Sequence, residues 1–189
     1  MQISAVLLVL AVLIDSVLAG PEVTAGVIAA RGWTTWGKTA SAGPASLVPV
    51  VSPGDTIFLR AYHGKNLDAE SGLVRARHKR HGARQAFVIE KREASAIYPG
   101  DRIFLTAGNG NRLEVDGTAV LARSQQKGPK QEFYLERMND SNNGPIRVGD
   151  TIFLRAHTGN HVDVVGDAVR ARLPRQGFGY NTLVVEKPN

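Results

Sequence analysis

The segment Thr56-Ile57-Phe58-Leu59-Arg60-Ala61 puts Ile57 and Leu59 on one side of an extended chain and Phe58 and Arg60 on the other. The same alternation returns at residues 102–107 and 151–156, where Ile103 and Leu105, then Ile152 and Leu154, take the apolar side. A longer octet encloses it: Gly54 to Ala61 is repeated unchanged as Gly149 to Ala156, and more loosely as Gly100 to Ala107. A period of 46 and then 49 residues is the mark of an internal repeat.

Each copy predicts four short strands. After the first comes a turn carrying Gly64, Gly110 or Gly159, where glycine supplies the positive φ of a tight hairpin. The second strand covers residues 66–69, 112–115 and 161–164, and further turns hold Gly72, Gly117 and Gly166. The third covers 74–77, 120–123 and 169–172, with Val and Ala facing inward and Arg or Leu outward. The fourth covers 87–90, 133–136 and 183–186, and no stretch of ten or more residues has a helical period.

The expected class is therefore all-β. Three four-strand units predict twelve strands, and the first and third copies are the most alike, whereas an open array needs atypical end copies. Closure also removes exposed strand edges. The expectation is a pseudo-threefold β-trefoil over residues 50–189, with repeats at 54–91, 100–137 and 149–187. Its core would be Ile57, Leu59, Leu67, Val74 and Phe87 with their counterparts.

Residues 1–19 differ in kind. An apolar run from Val6 to Leu13 and the ending Val17-Leu18-Ala19 predict a secretory signal cleaved after Ala19, hence an extracellular protein with no membrane span in the mature chain. Residues 20–49 read as a Gly/Ala/Ser/Thr-rich arm, whose Trp33 and Trp36 either dock on the main domain or contact a partner. Asn139-Asp140-Ser141 is a glycosylation sequon.

The chain has no cysteine, so packing must stabilise it without disulfides. Its formal charge of +6, or +7 once Asp15 leaves with the signal, favours anionic surfaces. With 6% aromatic residues, it lacks the interleaved stacking groups of a nucleic-acid site. His78 and His81 lie in an already cationic stretch, a poor place for zinc, and no metal or cofactor is expected.

The repeats supply the candidate chemistry. Asp68, Glu114 and Asp163 are equivalent, and threefold placement keeps them too far apart for a catalytic dyad, so no enzyme is expected. They read as turn or strand hydrogen-bonding groups or as ligand acceptors, and as acceptors they pair with the first hairpins, nominating His63 and Asp68, Asn109 and Glu114, and His157 and Asp163. Glu90, Glu136 and Glu186 read as structural salt links. Arg75, Arg77, Lys79, Arg80, Arg84, Arg123, Arg170 and Arg172 form a candidate basic patch for sulfated or phosphorylated polymers.

The run Ile-Phe-Leu-Arg-Ala-His-x-Gly-Asn/Lys-x-x-Asp, then Val-x-Ala-x, then Phe-x-Ile/Leu-Glu, resembles the fascin-like, actin-crosslinking type of β-trefoil across residues 54–187. It is more distantly similar to histidine-rich actin-binding and ricin-type lectin trefoils. The ricin-type Gln-x-Trp is replaced by Gln85-Ala86-Phe87 and Gln131-Glu132-Phe133. The resemblance implies either actin-filament binding or, for single secreted domains, association with carbohydrate. The sequence expectation is a non-enzymatic module recognising glycan or polysaccharide, possibly anionic, at several equivalent sites. Actin binding is the alternative, and a structural or effector module with a protein partner is the third reading.

Overall fold

The structure, a computed structural model, describes residues 48–138, 143–177 and 179–188. The segment predicted as a signal and nearly all of the predicted arm, including Trp33 and Trp36, lie outside the described residues, as does Asn139.

Twelve strands follow in order: β1 Thr56–Ala61, β2 Asn66–Glu70, β3 Leu73–His78, β4 Phe87–Glu90, β5 Arg102–Ala107, β6 Arg112–Asp116, β7 Ala119–Ser124, β8 Phe133–Arg137, β9 Thr151–Ala156, β10 His161–Val165, β11 Ala168–Leu173 and β12 Leu183–Glu186. A 3-10 turn, Pro129–Gln131, precedes β8. Strand for strand, these are the segments that the alternation predicts, lengthened by a residue at some ends.

Six strands close a barrel. β1 pairs with β4 and β12, β5 with β4 and β8, and β9 with β8 and β12, all antiparallel. The remaining strands form the hairpins β2–β3, β6–β7 and β10–β11. Their outer strands meet around the pseudo-threefold axis, through Ala168↔Arg75, Arg170↔Ala119 and Leu73↔Leu121. A six-strand barrel capped by three hairpins is a β-trefoil.

Every core residue expected from the sequence is buried. Ile57, Leu59, Leu67, Val74 and Phe87 and their equivalents belong to one cluster that also takes in Val51, Ile97 and Ile146 from the connections. Each such side chain is worth about 1.5–3 kcal/mol of transfer free energy. The outer face of the first strands is less polar than the pattern implies. Phe58 and Phe153 are buried too, Phe58 beneath a His81 ring stacked 4.1 Å away and Phe153 against the edge of His161. Phe104 takes Lys127 over its ring at 5.7 Å. These cationic and imidazole covers come from the following strand or loop, which strand alternation alone does not reveal.

Charge joins the repeats. Glu90 at the end of β4 accepts from Thr106 and Arg112 of the second repeat, Glu136 from Arg155 and His161 of the third, and Glu186 from Arg60 and His81 of the first. The structural role expected for this series is the one found. A second ring links Lys91 to Asp101, Arg137 to Asp150 and Lys187 to Asp55, so the last repeat is tied back to the first.

Candidate binding surface

The two repeated series, weighed separately in the sequence, meet in the structure. Asp68 takes Arg77 at 2.7 Å, Glu114 takes Arg123 at 3.0 Å and Asp163 takes Arg172 at 2.5 Å. All three carboxylates are buried, Asp68 completely. Strand pairing explains this, because Asp68 faces Arg75 across the β2–β3 ladder and Arg77 lies two residues further along the same strand. Glu114 is also held by Gln131 at 2.8 Å, and Asp163 accepts from the Arg172 backbone. These buried acids brace their hairpins, the strand hydrogen-bonding role read from the sequence, and their oxygens are taken up by neighbouring side chains rather than presented at the surface.

The hairpin-tip residues do lie at the surface, but not as a threefold set. His63 and Asn109 are equivalent, and each accepts a backbone N–H two residues on, from Lys65 and Asn111. Thr158 completes that set, accepting from Asn160, whereas His157 stands one place earlier, at the position of Tyr62 and Gly108. Identical octets invited the misalignment, since both first and third repeats carry a His just beyond them.

The proposed basic patch also divides. Arg77, Arg123 and Arg172 are spent on the buried acids, and Arg84 pairs with Glu70. Arg75, Lys79, Arg80 and Arg170 are exposed and carry no side-chain partner among the described residues.

The most distinctive surface lies where the third repeat meets the first. Tyr62, directly after β1, and Tyr180, shortly before β12, are 45% and 54% exposed. Their rings meet edge to face with centroids 5.2 Å apart, and His63 lies 4.9 Å from Tyr62. Nε2 of His63 donates to the Gly166 carbonyl at 2.9 Å, fastening the first hairpin tip to the β10–β11 turn. Beside it, Lys65 pairs with Asp167 at 2.8 Å through one carboxylate oxygen, and Lys65 holds the Asp167 carboxyl below its usual range. The surface thus combines two aromatic faces, a carboxylate with an oxygen to spare and an ammonium group. Sequence reasoning missed both tyrosines because neither is repeated.

A larger hollow of about 600 Å³ lies elsewhere, lined by Tyr98, Glu136, Arg137, Gln176 and their neighbours. Its charged groups are already engaged. Glu136 serves Arg155, His161 and Gln176, and Arg137 holds Asp150 and the Pro145 carbonyl. Among the described residues, no group of three or more His, Asp or Glu side chains is placed to hold a metal ion. Among the same residues, no helix is long and apolar enough to cross a membrane.

No protein-family model matches the chain, and no curated protein matches it significantly. Solved structures do. A Caenorhabditis elegans protein of unknown function superposes with a TM-score of 0.62 at 15% identity, over 76% of this chain and 99% of its own. The SDF2-like protein of Arabidopsis thaliana gives 0.61 at 9% identity, over 72% of this chain and 94% of its own. The designed threefold-symmetric ThreeFoil gives 0.56 at 20% identity, over 70% of this chain and 99% of its own. At these identities the likeness establishes the β-trefoil fold and stops there.

Proposed function

We propose that this protein is an exported, non-enzymatic module that recognises carbohydrate at the junction of its third and first repeats. The observation that carries the reading is the exposed pair Tyr62 and Tyr180 beside His63. Buried tyrosines gain from packing, but two half-exposed rings held against each other offer apolar faces to a partner. The apolar face of a pyranose stacks on such a ring while its hydroxyls seek acceptors and donors at the rim. Asp167 and Lys65 supply one of each. The reading keeps His63 from the hairpin-tip candidates and places the stacking surface at one junction. Export rests on the apolar run of residues 6–13 and the small residues before Gly20.

The test is a glycan array on residues 20–189 at about 0.15 M salt, where weak surface attraction is screened, followed by titration of the best neutral ligand. Replacing Tyr62 and Tyr180 together with Ala should weaken that ligand at least about tenfold, the loss of one stacking contact, with an unchanged circular dichroism spectrum. Unchanged affinity in the double variant overturns the site. Absence of any glycan signal, with co-sedimentation on actin filaments instead, overturns the ligand class. An N-terminus at Gly20 in the exported protein checks the signal.

A further inference from the structure

The three hairpins leave a depression of about 130 Å³ where they meet on the pseudo-threefold axis. It has room for about four water molecules. Its floor is Val74, Val120 and Val169, all buried. Its walls follow a rule set by the strand register, in which the equivalent residues Arg75, Leu121 and Arg170 each lie beside a residue of the neighbouring repeat, the two arginines exposed and Leu121 buried rather than outward as the strand pattern predicts. Arg75 lies beside Ala168, Arg170 beside Ala119, and Leu121 beside Leu73. Small neighbours accompany the two arginines, and a large apolar neighbour accompanies the leucine.

Charge makes this place unusual. Arg60, Arg77, Arg84, Arg102, Arg112, Arg123, Arg155 and Arg172 all have carboxylate partners. Arg75 and Arg170, like Arg80, Arg92 and Arg175, have none among the described residues, and these two line one small depression. The acids closest to them are already engaged: Asp68 and Asp163, which face Arg75 and Arg170 across their hairpins, by Arg77 and Arg172, Glu70 by Arg77 and Arg84, and Asp167 by Lys65. Two like charges beside a shared low-dielectric floor repel each other and concentrate positive potential there. A guanidinium fork is matched to the paired oxygens of a sulfate or phosphate, which accept two parallel hydrogen bonds.

We infer that the axial depression binds the sulfate or phosphate ester group of a small anionic ligand, with Arg75 and Arg170 as its donors and Leu73 and Leu121 against the ligand's apolar side. The site is separate from the Tyr62–Tyr180 surface and stands whether or not that surface binds sugar. Guanidinium-to-oxyanion bonds are charge-assisted, so losing them weakens binding by about tenfold or more.

The test titrates residues 20–189 with glucosamine 6-sulfate, glucose 6-phosphate and glucose by calorimetry, in about 0.05 M and about 0.15 M salt. One of the esters should bind and glucose should not bind at this site, and the preferred ester identifies the source of the oxyanion. Arg75→Leu/Arg170→Leu, which gives all three repeats the leucine that the second already has, should fold and lose ester affinity at least about tenfold. Leu121→Arg, which completes the ring, should raise affinity and keeps the test decisive if the double variant fails to fold. The Tyr62→Ala/Tyr180→Ala variant should bind ester as before. Equal ester binding by the arginine double variant and the native chain, loss of ester binding in the tyrosine variant, or no ester binding at either salt overturns the assignment.

Discussion

The fully buried carboxylate of Asp68 is met by Arg77 nine residues later, and the pair recurs at the same spacing as Glu114 with Arg123 and Asp163 with Arg172. Each pair ties the two strands of one hairpin. The arginines remain partly exposed while the acids do not, so the acid bears most of the desolvation cost. Both Asp68 and Glu70 hold the Arg77 guanidinium above its ordinary pKa.

Removing the partner of a buried charge is therefore worse than removing both. Arg77→Met leaves the Asp68 carboxylate with only His78, at 3.3 Å. It should cost about 3–5 kcal/mol in urea unfolding. Adding Asp68→Asn to that variant should recover a large part of the loss, because an amide tolerates the site without an ion. Equal instability of the single and double variants would show that the pair contributes no charge-specific coupling.

The acids Glu90, Glu136 and Glu186, in β4, β8 and β12, make a prediction about pH. Partial burial of Glu90 opposes ionisation, but Lys127, Thr106 and Arg112 outweigh it and bring its carboxyl from 4.5 down to about 2. A carboxyl depressed in the folded state adds stability that is complete above its unfolded pKa and fades as pH falls toward the folded one. The window is thus from about pH 4.5 down to about 2, and the full effect is on the order of 3 kcal/mol. Glu136 and Glu186 are lowered as well, against the same burial, by Arg155 and His161 and by Arg60 and His81. Melting followed through this window should show a steep loss of stability, and Glu90→Gln should flatten part of it. An identical slope in the variant would deny the repeat junction this role.

The fold was legible because its signal is periodic. Ile57 and Leu59 on one face, returned twice more, define strand, face and repeat at once, and burial of Ile103, Leu105, Ile152 and Leu154 follows. The site was legible only where it coincided with the repeat. Asp68 and Arg77 each stood out as repeated charges, but a nine-residue separation across a hairpin becomes contact only through register, including the irregularity between Asn66 and Leu67. Tyr62 and Tyr180 are far apart in sequence and repeated nowhere, so only closure of the third repeat onto the first brings their rings together. Repetition reports what builds the scaffold, and the surface departs from it.

Equivalent core positions should respond alike. Leu59 and Leu154 occupy the same place in identical octets, and both are buried. Changing either to Ala should cost about 2–5 kcal/mol through the cavity left behind. The two values should agree within about 1 kcal/mol, the spread that differing neighbours introduce. Chemical unfolding of both single variants provides the check, and a difference of several kcal/mol would mean that one repeat is packed independently of the other.

The position shared by Tyr62, Gly108 and His157 shows why the aromatic surface occurs once. Threefold symmetry alone would allow a side chain at all three junctions. At Gly108, however, a Cβ would lie 2.1 Å from the Ala83 carbonyl oxygen and 3.1 Å from its carbon. The obstacle is backbone and cannot rotate away, and the next carbonyl, Arg84, accepts the Ala69 N–H at 2.8 Å. Displacing it therefore strains the junction of the first and second repeats. Gly108→Ala should destabilise the protein by about 3 kcal/mol, the upper part of the usual overpacking range. Tyr62→Ala, at the equivalent exposed position, should cost less than about 1 kcal/mol. Thermal melts of the two variants decide the matter: a neutral Gly108→Ala would mean that the junction yields, and that a second aromatic surface can be built there by placing tyrosine at 108.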